Sequence, residues 1–101
     1  GRRYARHHRK SVLDGVPLEI VLSHVETTIG RGEECQVVIS HTSISREHAR
    51  IKKMRQGNVL FDLESRNGVY VNSRRIAENL LRDGMTVRIG DVEFVYYEAN
   101  K

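Results

Sequence analysis

His48-Ala49-Arg50-Ile51-Lys52-Lys53-Met54-Arg55-Gln56-Gly57-Asn58-Val59-Leu60-Phe61-Asp62-Leu63 is the stretch on which the fold class turns. From His48 to Met54 the side chains alternate, with Ala49, Ile51 and Lys53 on one face and Arg50 and Lys52 on the other. A period of two is what a strand with one covered face requires. Gln56-Gly57-Asn58 then supplies turn residues, and Asn58 to Leu63 resumes a β-prone apolar run. Strands joined by so short a connection pair antiparallel, because a parallel pair needs a crossover of about a dozen residues or more.

The same signature recurs on both sides of this hairpin. Leu18 to Leu22, Thr27 to Ile29, Val37 to Ile39, Val69 to Val71, Thr86 to Ile89 and Val92 to Tyr97 are short β-branched or aromatic runs. Gly, Asn and Asp bound them. Gly90-Asp91 reads as a second hairpin turn, and Asn67-Gly68 and Asp83-Gly84 supply residues that tolerate positive φ. Only Ile76 to Arg82 offers a helical turn, and seven residues are marginal alone. Many short, closely spaced strands predict an all-β antiparallel sandwich.

Composition sets the bounds. The chain has 101 residues, 39% hydrophobic and 30% charged, with a single Pro and no Trp. That suits one small globular domain and excludes collagenous or Pro-rich classes. No apolar run approaches the roughly 20 residues of a membrane-spanning helix, and no apolar segment follows the basic start as in a signal peptide. The start at Gly1 is read as the edge of a piece of a longer protein. Cys35 is the only cysteine, so neither an internal disulfide nor a zinc set is expected, and an intracellular, reducing compartment fits best.

The net charge of +4 is uneven. Arg2, Arg3, Arg6, Arg9 and Lys10 crowd residues 1–10, which hold no acid, leaving 12 basic against 13 acidic residues in 11–101. Residues 1–10 are therefore read as a flexible basic arm, 11–98 as the domain and 99–101 as a tail. Such an arm is either a solvated linker or a contact for nucleic acid or anionic lipid. Within the domain, the polar residues fall in three loops: Gly30-Arg31-Gly32-Glu33-Glu34, Ser40 to Glu47, and Glu64-Ser65-Arg66-Asn67-Gly68. Arg offers a planar multi-donor fork, Ser a hydroxyl, and Asn both donors and an acceptor, so a converging set would suit an anion.

These residues resemble a known family. Ile29-Gly30-Arg31, Ser45-Arg46-Glu47-His48-Ala49 and Asp62-Leu63-Glu64-Ser65-Arg66-Asn67-Gly68-Val69-Tyr70-Val71-Asn72 resemble the forkhead-associated (FHA) domain in order and spacing. The segment from Leu81 to Gly90 and the Phe94 strand resemble its last hairpin. The resemblance implies a β-sandwich of about 11 strands whose loops bind phosphothreonine peptides, as an adaptor module of a larger signalling or regulatory protein. It implies no enzyme activity, cofactor or metal. It implies that Arg31 and Ser45 bind phosphate, that Asn67 bonds the peptide backbone, and that Arg46 adds a contact. Gly30, His48 and Gly68 would hold the loops in shape. Arg66 departs from a frequent Thr or Ser; it either replaces the lost hydroxyl with a charged donor or points to solvent. Val69 also departs from a frequent Thr.

Read alone, each residue has a plainer account: Arg31 as a surface arginine, Ser45 as a loop serine, Asn67 as a turn residue, and His48 as a metal ligand or base. Strand alternation puts His48 on the face of Arg50, away from Ile51. His7, His8, His24 and His41 form no ligand set and are read as surface residues. Two rival functions stand beside phosphopeptide binding: phosphate-independent assembly by an FHA-like domain, and nucleic-acid binding through the arm. The near-neutral body disfavours the latter, and no nucleophile–base pair or nucleotide-binding glycine motif marks an enzyme.

Overall fold

A computed structural model describes residues 2–6 and 19–99. They form eleven strands: β1 (Arg2–Arg6), β2 (Glu19–Val21), β3 (Glu26–Gly30), β4 (Val37–Val38), β5 (Ala49–Met54), β6 (Gly57–Asp62), β7 (Val69–Val71), β8 (Arg74–Arg75), β9 (Glu78–Leu80), β10 (Thr86–Ile89) and β11 (Val92–Ala99). Two sheets pack face to face, one in the order β2-β1-β11-β10-β7-β8 and the other β4-β3-β5-β6-β9. The pairings are antiparallel except for β3 with β4, which run parallel at Ile29↔Val37 and Gly30↔Val38. Among the described residues no helix is long and apolar enough to cross a membrane.

The alternation read from the sequence sets the layers. Ala49 and Ile51 of β5, Val87 and Ile89 of β10, and Phe94 and Tyr96 of β11 point into the core. Ile29 and Leu60 join Ala49 and Ile51 on the second sheet's inner face, against Val87, Ile89, Phe94 and Tyr96 of the first. The hairpin between β5 and β6 turns on Arg55 and Gln56, one residue earlier than expected, because Gly57 already pairs with Met54. Gly90 opens the two-residue turn between β10 and β11 at φ 58, the left-handed conformation that such a turn asks of its first residue.

Two expectations are corrected. Residues 2–6 are not a flexible arm: they form β1, held between β2 and β11, with Tyr4 opposite Tyr97 and Ala5 opposite Tyr96. Positions 7–10 of that arm, with His7 and His8, lie outside the described residues. The segment Ile76–Arg82 makes no helical turn. It holds β9, which completes the hydrogen bonding of β6 at Phe61↔Glu78 and Val59↔Leu80.

The registers gather the loops at one end. Ile29 pairs with Ala49, and Ala49 with Asp62, so β3 ends, β5 begins and β6 ends side by side. Val69 pairs with Ile89, and Ile89 with Val92, which brings the start of β7 and the last hairpin to the same end of the other sheet. Segments 31–36, 39–48, 63–68 and 90–91 thus share one apex.

Candidate functional site

Backbone bonds stitch these loops together before any side chain takes part. The Arg31 and Gly32 N–H groups donate to the Ser45 and Arg46 carbonyls, each at 2.9 Å, and the Gly90 N–H donates to the Gly68 carbonyl at 3.1 Å. The close approach explains Gly30. A Cβ there would overlap the Arg46 carbonyl oxygen and come within 2.8 Å of the Cys35 sulfur.

His48 joins the two sheets beneath the apex. Its ring is fully buried, on the inside rather than on the Arg50 face that strand alternation assigns it. It precedes β5, so the strand's period does not govern it. Nδ1 accepts the Ser45 N–H at 2.9 Å, and Nε2 donates to the Gly68 carbonyl at 2.8 Å. One ring nitrogen accepting and one donating describes a neutral imidazole with its proton on Nε2. With no room and no lone pair left over, the ring is a brace between the loop of Ser45 and the loop of Gly68.

Above the brace lies an open groove of about 240 Å³, lined by Arg31, Thr42, Ser43, Ser45, Arg46, Arg66 and Asn67 among others. All five side chains singled out for ligand contact in the sequence therefore meet in one place. Arg31 Nε donates to the Ile44 carbonyl at 2.9 Å, which fixes the guanidinium and leaves both terminal nitrogens available. Ser45 Oγ accepts the Arg66 N–H at 3.0 Å, so its own proton remains to be donated. Asn67 Nδ2 donates to the Ser43 carbonyl at 2.8 Å and keeps its amide oxygen free. Gly68 follows at φ 85, the conformation its lack of a side chain permits.

The two remaining arginines differ. Arg46 Nε is bonded to Glu34 Oε2 at 3.0 Å, which offsets its charge on the rim. Arg66 is exposed on the groove wall. Val69, in contrast, is fully buried in the core and contributes nothing to the groove surface.

Several contributors escaped the sequence reading. Ser43 is buried; its Oγ accepts the Asp91 N–H at 2.9 Å and bonds His41 Nδ1 at 2.9 Å, tying the last hairpin to the groove. Its partner is 48 residues away, so no local pattern announces it. His41 is thereby half-buried rather than a surface residue. Ser65 is different. Its Oγ accepts the Gly68 N–H at 3.0 Å, and its N–H donates to Asp62 Oδ1 at 3.1 Å. These are side-chain-capped turns legible in Asp62-x-x-Ser65-x-x-Gly68. Cys35 is buried under the same loops, its thiol donating to the Arg46 carbonyl at 3.2 Å. Desolvation, then Glu34 and Glu47, push that thiol above its ordinary range, which makes it a poor nucleophile.

Comparison with known proteins agrees with this geometry. The FHA domain profile matches residues 27–90. The chain is 35% identical over 82 residues to the FHA domain-containing protein FhaA of Mycobacterium tuberculosis, covering 81% of this chain and 16% of FhaA. A solved structure from a structural and functional analysis of phosphothreonine-dependent FHA domain interactions superposes with a TM-score of 0.85 at 29% identity, with 100% of each chain covered. Mycobacterium tuberculosis EmbR, solved in complex with a low-affinity phosphopeptide, superposes at 0.83 and 31% identity, over 95% of this chain and 24% of EmbR. The chain thus spans only a small part of FhaA and EmbR. With its two-sheet fold, its apical loops and the matched profile, the chain belongs to the FHA domain family.

Proposed function

We propose that this domain binds phosphothreonine-containing segments of partner proteins, as a recognition module and not as an enzyme, within a larger regulatory protein. One observation carries the reading: Arg31, Ser45 and Asn67 come from three separate loops, and each keeps a hydrogen-bonding group free toward the same groove. Arg31 and Ser45 take the phosphate, Asn67 takes the peptide backbone, Arg66 adds charge at the rim, and Arg46 adds a donor there. Gly30, His48 and Gly68 hold the loops in register. A buried, free Cys35 suits a reducing intracellular compartment.

The energetics suit a reversible reader. Phosphothreonine carries about −1.5 to −2 charges at neutral pH and three strong acceptors. Each charge-assisted bond contributes about 1.5–3 kcal/mol. Two or three of them, less the ordering that association demands, lead to a Kd of about micromolar order.

Arg31→Ala tests the reading. Its backbone N–H bond to Ser45 survives the substitution, so the fold should persist while phosphopeptide binding falls by at least about a hundredfold, the loss of two such bonds. Calorimetric titration measures the affinity and circular dichroism checks the fold. A folded variant with unchanged affinity would overturn the assignment. Equal binding of the unphosphorylated peptide would instead favour phosphate-independent assembly.

A further inference from the structure

The described arginines differ in how their charge is answered. Arg3, Arg6, Arg46 and Arg50 each lie within 3.6 Å of a carboxylate oxygen. No such partner is found among the described residues for Arg31, Arg55, Arg66, Arg74, Arg75, Arg82 or Arg88, and of these Arg66 lines the groove while Arg75 and Arg88 reach Gly68 and Gly90 beside it. Arg75 of β8 pairs with Tyr70 of β7, Tyr70 with Arg88 of β10, and Arg88 with Glu93 of β11, so the four form one row on the outer face of the first sheet, in which Glu93 stands opposite Arg88 without closing to an ion pair. The Arg88 guanidinium carbon is 3.9 Å from the centre of the Tyr70 ring, and Arg88 Nη1 donates to the Gly90 carbonyl at 2.8 Å. Arg75 Nε lies 2.9 Å from where a Cβ of Gly68 would stand, so the row starts one residue beyond Asn67.

Protection of an edge strand accounts for Arg74 and Arg75, because β8 ends its sheet. It does not account for Arg88, which is on an interior strand. Stacking holds the Arg88 guanidinium by its face, and Gly90 takes a single donor, so other N–H groups along its edge remain for an acceptor. A cation fixed in this way loses little freedom when an anion arrives. Exposed acids flank both sides, Glu33 and Glu47 by the Arg31 and Ser45 loops and Glu64, Asp91 and Glu93 by the arginines, so it is the fixed guanidinium donors and not net charge that mark the row.

We propose that Arg75, Tyr70 and Arg88, with Arg66, form a second anion subsite beside the groove. It takes an acidic group, a side-chain carboxylate or a second phosphate, on one flank of the bound phosphothreonine. This rests on the phosphopeptide reading above and adds a preference in sequence and direction. A peptide acidic on one side only lies with that side over the arginines.

Four peptides with one phosphothreonine core test it by fluorescence anisotropy at 150 mM salt (about physiological). One has neutral flanks, one has Glu residues before the phosphothreonine, one has them after, and one carries a second phosphothreonine on the flank that binds better. Only one of the two Glu peptides should bind more tightly than the neutral peptide, by about fivefold, the size of one exposed charge pair. The doubly phosphorylated peptide should gain at least as much. A gain from the second phosphate alone would identify phosphate as the occupant. The double variant Arg75→Gln, Arg88→Gln should erase the gain and leave the neutral peptide within twofold. Equal gains on both flanks, no gain from any acidic group, or a gain that survives in the variant would overturn the subsite. The wild-type comparison decides the matter even where the variant folds poorly. Failure of the neutral phosphopeptide to bind at all, with Arg31→Ala changing nothing, would instead overturn the phosphate reading on which the subsite rests.

Discussion

At the scale of single residues, space decides as much as chemistry. Gly30 stands where β3 runs under the Arg46 carbonyl and against Cys35. Gly30→Ala forces these apart, and overpacking of this kind costs about 1–3 kcal/mol. The melting temperature should fall by about 4–8 °C for each kcal/mol. Affinity should fall too, because the Arg31-to-Ser45 and Gly32-to-Arg46 bonds hold the loops of Arg31 and Ser45 together. Thermal melts and phosphopeptide titration measure both, and an unchanged variant would show that the loop has slack. Arg31, Ser45 and Asn67 were legible as loop donors suited to an anion, but their spacing carried meaning only through the family pattern. His48 was legible through the family pattern as well. Alternation alone faces it outward, since the strand's period stops one residue short of it. Ser43 was not legible at all, since its meaning depends on a hairpin 48 residues away.

Among the elements, local preference and tertiary demand disagree at one strand and agree at most others. Ile76 to Arg82 is rich in helix formers, but β6 has an open side that β9 must fill, and pairing wins. β11 shows the agreement, with Phe94 and Tyr96 pointing inward as alternation requires. Tyr96 also carries a polar end into the core. Its hydroxyl accepts Asn58 Nδ2 at 3.1 Å and donates to Glu98 Oε2 at 2.8 Å. Desolvation pushes its pKa up to about 12, from 10.0 in the open chain. The folded state holds its proton more tightly, so the stability tied to the neutral phenol is complete below pH 10 and is lost as pH rises to about 12. Two units correspond to roughly 2–3 kcal/mol. Tyr96→Phe should cost about 1–3 kcal/mol at pH 7, because Asn58 loses its buried acceptor. The variant carries no phenol to ionise, so its curve and the wild-type curve should converge between pH 10 and 12. Urea unfolding of both proteins at pH 8 and pH 11 measures the gap, in which titrations common to the two cancel. A gap of constant size would show that Tyr96 ionises in the fold as it does in the open chain.

Across the whole molecule, the charge distribution misleads where the topology does not. Residues 2–6 look like a solvated basic segment because the sequence shows mostly arginines there, while Ala5 is the side chain buried in the core. Their charges are answered from neighbouring strands: Arg3 lies 3.6 Å from Glu98 and Arg6 3.1 Å from Glu19, while Tyr4 stacks on Tyr97 with centroids 5.2 Å apart. Those partners are 13 to 95 residues away in sequence, so no local count of charge finds them. β1 enters the sheet antiparallel to β11, with Arg2 opposite Ala99 at the end away from the groove. Deleting residues 1–10 therefore removes an interior strand. It strips β2 of the strand it pairs with among the described residues, bares the edge of β11 and opens the core beside Ile20. The melting temperature should drop by more than about 10 °C, well beyond what the loss of a few exposed ion pairs brings. No residue of the groove is touched, so the fraction that still folds should bind the phosphopeptide with affinity close to that of the intact chain. Circular dichroism melts and titrations corrected for the folded fraction separate the two effects. An unchanged melting temperature would return residues 2–6 to the status of an arm. A loss of affinity in fully folded protein would mean that the first strand reaches the site through the sheet.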